Sequence, residues 1–256
     1  MFFQIIETSS AGNCAYLECG GARVLIDAGV GIRKIESYMR SLSLSLDDLD
    51  GIFVTHEHSD HCKALKSFKN ARQVKVFANR LTAESIQYLE PDTKKLKWQV
   101  FENGSPFDFC GIKVTAFSIP HDTSDAVGYK FGFEGRNLVW MTDLGKLTHL
   151  ARDMARQAHI LVLESNYCPK MLENSNRPYS LKQRIKSPHG HLSNLDALEL
   201  LKSLDPSVVE KIYLAHISKE CNSVSRISEL LCDAGGICSH IEIVPPFSVC
   251  STPLEF

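Results

Sequence analysis

The amino-acid sequence predicts an α/β fold in which two mixed β-sheets pack face to face, with helices on both outer surfaces. Segments rich in predicted strands, residues 2–27 and 98–141, are followed by segments in which strands and helices alternate, residues 32–89 and 147–244. Two facing sheets covered by helices would bury the apolar faces of all these elements in one body. No linker, internal repeat or block of like charge divides the chain, so we expect one domain over residues 1–256.

The first half of the chain predicts a hairpin followed by alternating strands and helices. Apolar and β-branched runs indicate strands at residues 2–6, 14–18, 22–27, 51–54 and 74–77. Gly20-Gly21 supplies the turn of the hairpin. Apolar residues at helical spacing predict helices at residues 32–42, 61–70 and 80–89.

The second half predicts a β-rich segment and then a second alternation. Strands are expected at residues 98–101, 107–110, 112–119, 126–133 and 137–141, and later at 160–164, 211–215 and 241–244. Glu134-Gly135-Arg136 forms the turn of a second hairpin. Helical spacing of apolar residues predicts helices at residues 147–157, 181–185, 194–204 and 224–232.

Composition is that of an ordinary globular protein, with 44% hydrophobic and 23% charged residues. No apolar run approaches the roughly 18 residues that a membrane span needs. The nine cysteines are scattered without a Cys-x-x-Cys pair, which favours free thiols and a cytoplasmic location. A net charge of −2 argues against bulk attraction to nucleic acid but is compatible with a local basic groove.

A histidine-rich loop follows the predicted strand 51–54, and it reads Thr55-His56-Glu57-His58-Ser59-Asp60-His61. Imidazole suits Zn²⁺, Mn²⁺ and iron, and carboxylate favours hard divalent ions without excluding zinc. Along an irregular turn, His56 and His58 can reach one ion, while Asp60 and His61 can reach a second ion nearby. The alternative is a polar loop whose histidines titrate in solvent.

Further candidate ligands lie just past the ends of predicted strands. His121, Asp143 and His216 each occupy such a position, and the two oxygens of Asp143 can bridge neighbouring ions. Each residue alone is more often structural, but together with the histidine-rich loop they predict a centre for two divalent ions, Zn²⁺ or Mn²⁺. Asp27 also ends a strand, where it can either cap a helix or support a metal-bound histidine from behind.

These residues resemble the five-motif signature of the metallo-β-lactamase fold superfamily, whose four-layer αββα sandwich agrees with the predicted order of elements. The resemblance implies one ion bound by His56, His58 and His121, and a second bound by Asp60, His61 and His216. It also implies that Asp143 bridges the two ions and that Asp27 lies behind a metal ligand. The fold alone leaves the substrate open, because members of this superfamily act on lactams, thioesters, lactones and phosphodiesters.

Gly190-His191-Leu192-Ser193, followed by a helix and a strand, resembles the phosphodiesterase branch of the superfamily. His191 is placed to contact a phosphoryl oxygen or to protonate a leaving alkoxide. Ser193 or Asn194 can cap the helix 194–204, whose first N–H groups would bind a phosphate. The alternative is an ordinary helix cap beside a surface histidine.

Several further motifs resemble the small bacterial YycJ/WalJ-type group, which is described as metal-dependent DNA exonucleases acting from the 5′ end. They are Ser10-Ala11-Gly12-Asn13-Cys14, Leu25-Ile26-Asp27-Ala28-Gly29, Pro120-His121-Asp122, Thr142-Asp143-Leu144-Gly145, Leu163-Glu164-Ser165-Asn166 and Gly190-His191-Leu192-Ser193-Asn194. One departure is Tyr167-Cys168, where the group usually carries a His-Asp pair.

The resulting hypothesis is a metal-dependent phosphodiesterase acting on nucleic acid, with DNA as the expected substrate and exonuclease action implied by the resemblance. A hydroxide activated by two ions would attack the phosphorus, and Asp60 would orient or deprotonate this nucleophile. The expected phosphate contacts along the strand come from Lys182, Arg184 and Lys186. Two alternatives stay open, a hydrolase of a small ester, lactone or thioester and a non-catalytic regulatory metalloprotein.

Overall fold

The computed structural model describes residues 1–71, 73–233, 235–246 and 251–255, and in this part of the chain two seven-stranded sheets pack face to face. The strands are β1 (Phe2–Ser9), β2 (Gly12–Cys19), β3 (Ala22–Ile26), β4 (Gly51–Phe53), β5 (Lys75–Asn79), β6 (Lys97–Phe101), β7 (Phe107–Phe109), β8 (Ile112–Ser118), β9 (Val127–Phe133), β10 (Arg136–Met141), β11 (Ile160–Glu164), β12 (Lys211–Ala215), β13 (Ile241–Ile243) and β14 (Leu254–Glu255). The α-helices are α1 (Ile32–Ser41), α2 (Ser59–Cys62), α3 (Arg80–Leu89), α4 (His149–Arg156), α5 (Pro169–Asn174), α6 (Tyr179–Lys186), α7 (Asn194–Lys202) and α8 (Val224–Leu231).

Both sheets are mixed. The first has the order β14-β1-β2-β3-β4-β5-β6, with antiparallel pairs from β14 to β3 and parallel pairs from β3 to β6. The second has the order β13-β12-β11-β10-β9-β8-β7, with antiparallel pairs from β7 to β10 and parallel pairs from β10 to β13. The predicted fold class, two mixed sheets flanked by helices, is confirmed.

Three apolar layers fill the sandwich. The layer between the sheets takes one face of each, including Phe53 from the first sheet and Trp140 from the second. The outer face of the first sheet packs on α1 and α3, and the outer face of the second packs on α4, α7 and α8. Alternate residues of β10 point to opposite layers, since Trp140 lies between the sheets while Val139 and Met141 face the helices.

The predicted helix at residues 61–70 is interrupted in the structure. α2 ends at Cys62, and a separate 3-10 helix runs over Leu65–Asn70. The N–H of Ala64 donates to the carbonyl of Ala28, at 2.8 Å, instead of continuing the helical ladder. A tertiary contact has therefore replaced the local pattern that the sequence indicated. α5 and β14 were not predicted from the sequence.

Three candidate site residues follow strands in a left-handed backbone conformation. Asp27 and Asp143 both have φ of 59°, and His216 has φ of 53°. Aspartate and histidine adopt this region more readily than most residues with a Cβ, but it still costs about 1–3 kcal/mol at each position. The sharp turn ends each strand and is held by the contacts described below.

No described helix combines the length and the hydropathy that a membrane span requires. Eight of the nine cysteines lie in the described part of the chain, and all eight carry free thiols, as predicted. Cys250 lies outside the described residues.

Candidate metal centre

Side chains from several distant parts of the chain converge at one edge of the sandwich. The loop after β4 carries His56 and His58, and α2 carries Asp60 and His61. The loop after β8 brings His121, and the ends of β10 and β12 bring Asp143 and His216. The two sheets are joined here, because the carbonyl of Thr55 accepts the N–H of Val127 at 3.1 Å.

Two triads of nitrogen and oxygen atoms in this cluster are each close enough to bind one metal ion. They are His56, His58 and His121, and Asp60, His61 and His216, with the atoms of each triad within 4.8 Å of one another. Asp143 also forms compact groups, one with His56 and His61 and another with Glu164, His191 and His216. The structure therefore brings all seven predicted ligands together, with Asp143 between the triads.

The spacing of the candidate ligand atoms suits a divalent ion. His61 Nε2 lies 3.1 Å from Asp143 Oδ2 and 3.5 Å from Asp60 Oδ2. Asp143 Oδ1 lies 3.4 Å from His216 Nε2 and 3.7 Å from His121 Nε2. Ligands bound to one zinc ion at about 2.0–2.2 Å in a tetrahedron are about 3.3–3.6 Å apart, so little rearrangement is needed.

Hydrogen bonds on the far side of the rings orient several of these histidines. Nδ1 of His61 lies 2.8 Å from Asp27 Oδ2, and Nδ1 of His216 lies 3.0 Å from Glu164 Oε1. Nδ1 of His121 lies 3.0 Å from the carbonyl oxygen of Gly190. With the proton on Nδ1, each oxygen accepts a hydrogen bond from this N–H group, and the lone pair on Nε2 faces the centre of the cluster.

Asp27 lies behind the ring of His61, which is the second of the two positions considered for it, and not at a helix cap. Its carboxylate is fully buried, contacts His61 Nδ1, and accepts both the N–H and the hydroxyl of Thr55. It does not cap α1, whose N-cap residue is Gly31. Burial raises the pKa of Asp27 more than His61 and Thr55 lower it. The hydroxyl of Thr55 also lies 3.0 Å from His56 Nδ1, so Thr55 supports a histidine of each triad.

The electrostatics of the cluster favour a bound cation. Burial and the nearby His61 hold the pKa of His56 well below its usual value, which keeps this imidazole neutral and able to coordinate. Burial also disfavours the charged form of His216, yet the carboxylates of Asp143, Asp60 and Glu164 raise its pKa to about 10. Buried carboxylates that favour a proton on a histidine favour a divalent cation for the same reason.

Two orphaned nitrogen atoms support the presence of metal in the functional protein. Among the described residues, Nε2 of His56 and Nε2 of His216 are buried and make no hydrogen bond. A buried polar atom without a partner is costly, and a metal ion would satisfy both. Imidazole nitrogen and carboxylate oxygen are the donors that zinc and manganese accept, so the residues fit the group that the fold implies.

Glu164 is a site residue that was not predicted from the sequence. It ends β11, is fully buried, and accepts hydrogen bonds from four donors. Oε1 faces Nδ1 of His191 at 2.8 Å and Nδ1 of His216 at 3.0 Å, and Oε2 accepts the N–H groups of Leu144 and Leu192. Burial lowers the pKa of His191, but the carboxylate of Glu164 outweighs this, and the net shift is upward. The strand-end position of Glu164 was the available signal.

Close backbone approaches fix the loops that carry the ligands. A Cβ at Gly29 would lie 1.5 Å from the carbonyl oxygen of Asp60, so only glycine fits where the loop after β3 crosses α2. A Cβ at Gly190 would lie 2.2 Å from the carbonyl oxygen of Arg184. The first contact positions Asp60, and the second joins α6 to the loop that carries His191.

The cluster opens into a cavity of about 250 Å³. Asp60, His121, Asp143, His191 and His216 line its floor, and α6 covers one side. Residues of α6 and of the segment before it that line this cavity are Arg177, Leu181, Arg184 and Ile185. Arg184 pairs with the carboxylate of Asp122, and Arg177 Nε pairs with Glu220 at 2.9 Å. Arg177 was not predicted from the sequence to lie at the site.

The other predicted substrate contacts lie away from the cavity. The ammonium groups of Lys182 and Lys186 both contact Glu173, one at its carbonyl oxygen and the other at its carboxylate. They occupy the face of α6 that is turned away from Arg184. Of the three basic residues that the sequence placed on the substrate path, the structure brings only Arg184 to the cavity.

Ser193 and Asn194 are occupied by contacts within the protein. The Ser193 hydroxyl caps α7 by accepting the N–H of Asp196, and the N–H of Asn194 donates to Tyr167. The Asn194 side chain is buried against Ser165 and Asn222. These bonds use the N–H groups of Asn194 and Asp196, two of those that we expected to bind phosphate. Tyr167 is largely buried and pairs with Ser193, so the Tyr167-Cys168 departure lies behind the cavity and does not line it.

A four-layer αββα sandwich with a histidine- and aspartate-rich cluster at one edge defines a class of metal-dependent hydrolases. A model of the beta-lactamase superfamily domain matches residues 22–217, most of the chain. The crystal structure of the metallo-β-lactamase fold protein YhfI from Bacillus subtilis superposes with a TM-score of 0.73 over 98% of both chains, at 16% identity. The chain therefore belongs to the beta-lactamase superfamily and has the metallo-β-lactamase fold.

Two curated relatives are more similar in sequence. The exodeoxyribonuclease YycJ of Bacillus anthracis is 31% identical over 236 residues, which cover 90% of this chain and 89% of that protein. The exodeoxyribonuclease WalJ of Streptococcus pneumoniae serotype 2 is 32% identical over 231 residues, which cover 89% of this chain and 85% of that protein. The resemblance to this group is confirmed, and the chain is a metal-dependent hydrolase.

Proposed function

We propose that this protein is a DNA exonuclease that cleaves phosphodiester bonds from the 5′ end with the help of two divalent ions, Zn²⁺ or Mn²⁺. The observation that carries the proposal is the pairing of two ligand triads around Asp143 with a histidine, His191, that faces the same cavity. The names of the two curated relatives support DNA as the substrate. We further propose that residues 1–256 act as one domain, and the free thiols support a cytoplasmic location.

In this proposal His56, His58 and His121 hold one ion, Asp60, His61 and His216 hold the other, and Asp143 contacts both. When bound, such ions make a water molecule acidic near neutral pH and offset the charge that develops on phosphoryl oxygens. Asp60 is 22% exposed at the cavity, so its carboxylate can orient the attacking water or accept its proton. Asp27 and Thr55 keep the His61 ring in the required orientation.

His191 is placed to protonate the leaving oxygen. Its ring is 24% exposed to the cavity, whereas the candidate ligands His61 and His216 are almost completely buried. Its Nδ1 is held by Glu164, so the ring presents Nε2 to the substrate. The raised pKa of His191 keeps a larger fraction of the ring protonated near neutral pH than for a free histidine, as a general acid requires.

The proposal is tested directly by turnover. Protein loaded with Zn²⁺ or Mn²⁺ is incubated with single- and double-stranded DNA and RNA labelled at either the 5′ or the 3′ end. We expect release of short products from the 5′ end of DNA and complete loss of activity after removal of the metal by a chelator. Cleavage of RNA in place of DNA would show that the substrate is RNA. Internal cleavage would show that the protein is an endonuclease.

A thioester and a lactone are included as competing substrates in the same assay. The polar character of the cavity, with Arg177 and Arg184 at its side, favours a phosphate over an apolar acyl group. Turnover of the thioester or lactone without DNA cleavage would assign the centre to small-molecule hydrolysis. Two bound ions without turnover of any substrate would favour a regulatory metalloprotein.

The two cavity arginines are expected to contact the DNA backbone. Each is held by a carboxylate through Nε, and within the described part of the chain its terminal nitrogens make no hydrogen bond. We expect Arg177→Ala or Arg184→Ala to weaken DNA binding by about tenfold and to reduce the slope of log Kd against log salt by about one. Binding is measured by fluorescence anisotropy with labelled DNA between low and physiological salt.

Lys182→Ala and Lys186→Ala serve as matched controls for this experiment. Both remove one positive charge from α6, but their ammonium groups contact Glu173 away from the cavity. We expect changes in Kd and in salt dependence several times smaller than for the arginine variants. Equal effects from all four variants would indicate that DNA is attracted by the overall positive charge of this region and not by two defined phosphate contacts.

A further inference from the structure

We infer that Thr8 and Asn13 form a positioning relay that sets the geometry of one metal site, the site of Asp60, His61 and His216. This inference rests on the proposed metal centre and concerns residues that touch neither the substrate nor the ions. The relay lies where β1 meets β2, far in sequence from the ligands that it contacts. Both residues are almost fully buried.

The first half of the relay joins Thr8 to His216. The Thr8 hydroxyl accepts the backbone N–H of His216 at 2.9 Å and donates its own proton to Asn13 Oδ1 at 3.1 Å. His216 is the residue held in a left-handed conformation at the end of β12. The bond to Thr8 therefore stabilises the backbone turn that aims the His216 ring at the cluster.

The second half of the relay joins Asn13 to Asp60 and His61. Asn13 Oδ1 accepts from Thr8 and from the N–H of Ser9, which fixes the orientation of the amide. Its Nδ2 then donates to the carbonyl of Ser9 at 3.0 Å and faces Asp60 Oδ2 at 3.4 Å and His61 Nε2 at 3.0 Å. The amide thus sets the position of the Asp60 carboxylate beside the His61 ring.

The strand pairing explains why these two side chains point inward together. β1 and β2 pair through an irregularity between Ile5 and Glu7, which shifts the register so that Thr8 lies opposite Asn13. The main chain of Asn13 takes part as well, since its carbonyl accepts the N–H of Gly29 from the loop packed on α2. One hairpin end therefore touches both segments that supply the ligands of this site.

The triad of His56, His58 and His121 is supported by groups other than Thr8 and Asn13. His56 is oriented by Thr55, and His121 by the carbonyl of Gly190. In the described residues, the hydrogen bonds of Thr8 and Asn13 reach none of His56, His58 or His121. Loss of the relay should consequently weaken one metal site and leave the other intact.

The test is Thr8→Val, which keeps the shape of the side chain and removes both of its hydrogen bonds, compared with Thr8→Ser, which keeps the hydroxyl. Metal-free protein is titrated with Zn²⁺ in the presence of a competing chelator, and the bound metal is measured by elemental analysis. We expect Thr8→Val to bind one ion as the unsubstituted protein does and the second about 10–100 times more weakly. Thr8→Ser should bind both ions normally.

Asn13→Ala removes the relay at its other end and should show the same selective loss. It also keeps the test decisive if Thr8→Val fails to fold, which thermal unfolding of the metal-free proteins reveals. Normal affinity for both ions in a folded Thr8→Val or Asn13→Ala variant would overturn the inference, and so would an equal loss at both sites. Because the readout is bound metal, absence of DNA cleavage by the unsubstituted protein would reject the proposed function alone.

Discussion

Replacing Asp143 with alanine is expected to lower DNA cleavage by about 10³-fold or more and to reduce bound metal below two ions per chain. Among the described residues, Asp143 is the one carboxylate whose oxygens face both triads, with Oδ2 near His61 and Oδ1 near His121 and His216. Burial raises the pKa of Asp143, but the surrounding histidines lower this pKa by a larger amount. The net pKa lies well below the usual value, so this carboxylate is charged and available to bind. Its removal leaves neighbouring ligands without a shared anion.

Asp143→Asn separates charge from size in this experiment. The amide is isosteric but neutral, so we expect an intermediate loss of metal and a similarly large loss of turnover. Asp205→Asn is the control, because Asp205 is exposed and, among the described residues, its carboxylate accepts hydrogen bonds only from the nearby Ser207. Metal content is measured by elemental analysis and turnover by single-turnover cleavage of labelled DNA. Retention of two tightly bound ions by Asp143→Ala would contradict the assignment of Asp143 as a shared ligand.

The candidate ligands could be predicted because their positions carry a local signal. Three histidines and an aspartate fall within six residues after an apolar strand, and His121, Asp143 and His216 each follow a strand. The carboxyl ends of strands β4, β10 and β12 do meet at one edge, as the fold requires. Local patterns of this kind place ligands because the sheet fixes where strands end.

The supporting residues are harder to predict. Glu164 ends a strand, as candidate ligands do, but Thr8 and Asn13 lie within strands. Thr8, Asn13 and Glu164 act through bonds to residues far away in sequence, and no periodicity or spacing reveals such a partner. The interruption of the predicted helix 61–70 was missed for the same reason, because a hydrogen bond from Ala64 to Ala28 ends the helix early.

The basic residues of α6 illustrate a different limit. Their charge was evident from the sequence, but their direction depends on which face of the helix meets the cavity. Leu181, Arg184 and Ile185 share the cavity face, whereas Lys182 and Lys186, four residues apart, share the other. Helical spacing separates the two sets, although the sequence alone does not tell which set faces the substrate.

Glu164→Gln should be far more damaging than an isosteric change usually is. Each carboxylate oxygen of Glu164 serves two donors, the two imidazole Nδ1 atoms on Oε1 and two backbone N–H groups on Oε2. A glutamine amide must direct its NH₂ group at one of these pairs, whichever way it turns. Facing the backbone, it leaves buried N–H groups unsatisfied at a cost of about 1–3 kcal/mol each.

Facing the imidazoles, the same NH₂ group would force a change of tautomer. Nδ1 of His216 would have to accept, which moves the proton to Nε2 and blocks the atom that faces the metal centre. We therefore expect either a lower melting temperature or loss of metal, together with a fall in kcat of about 10²–10⁴-fold. Glu199→Gln is the control, since Glu199 is exposed and, in the described part of the chain, its carboxylate pairs only with Arg152 on the surface.

The pH dependence of the Glu164→Gln variant separates a catalytic effect from a structural one. Glu164 raises the pKa of His191 against the opposing effect of burial, so the protonated ring persists to higher pH than in a free histidine. Because a general acid acts in its protonated form, turnover should fall as pH rises through the raised pKa. Without the carboxylate that pKa drops, and the alkaline limb of the kcat profile should move to lower pH. A reduced kcat with an unmoved alkaline limb would show that Glu164 does not act through His191.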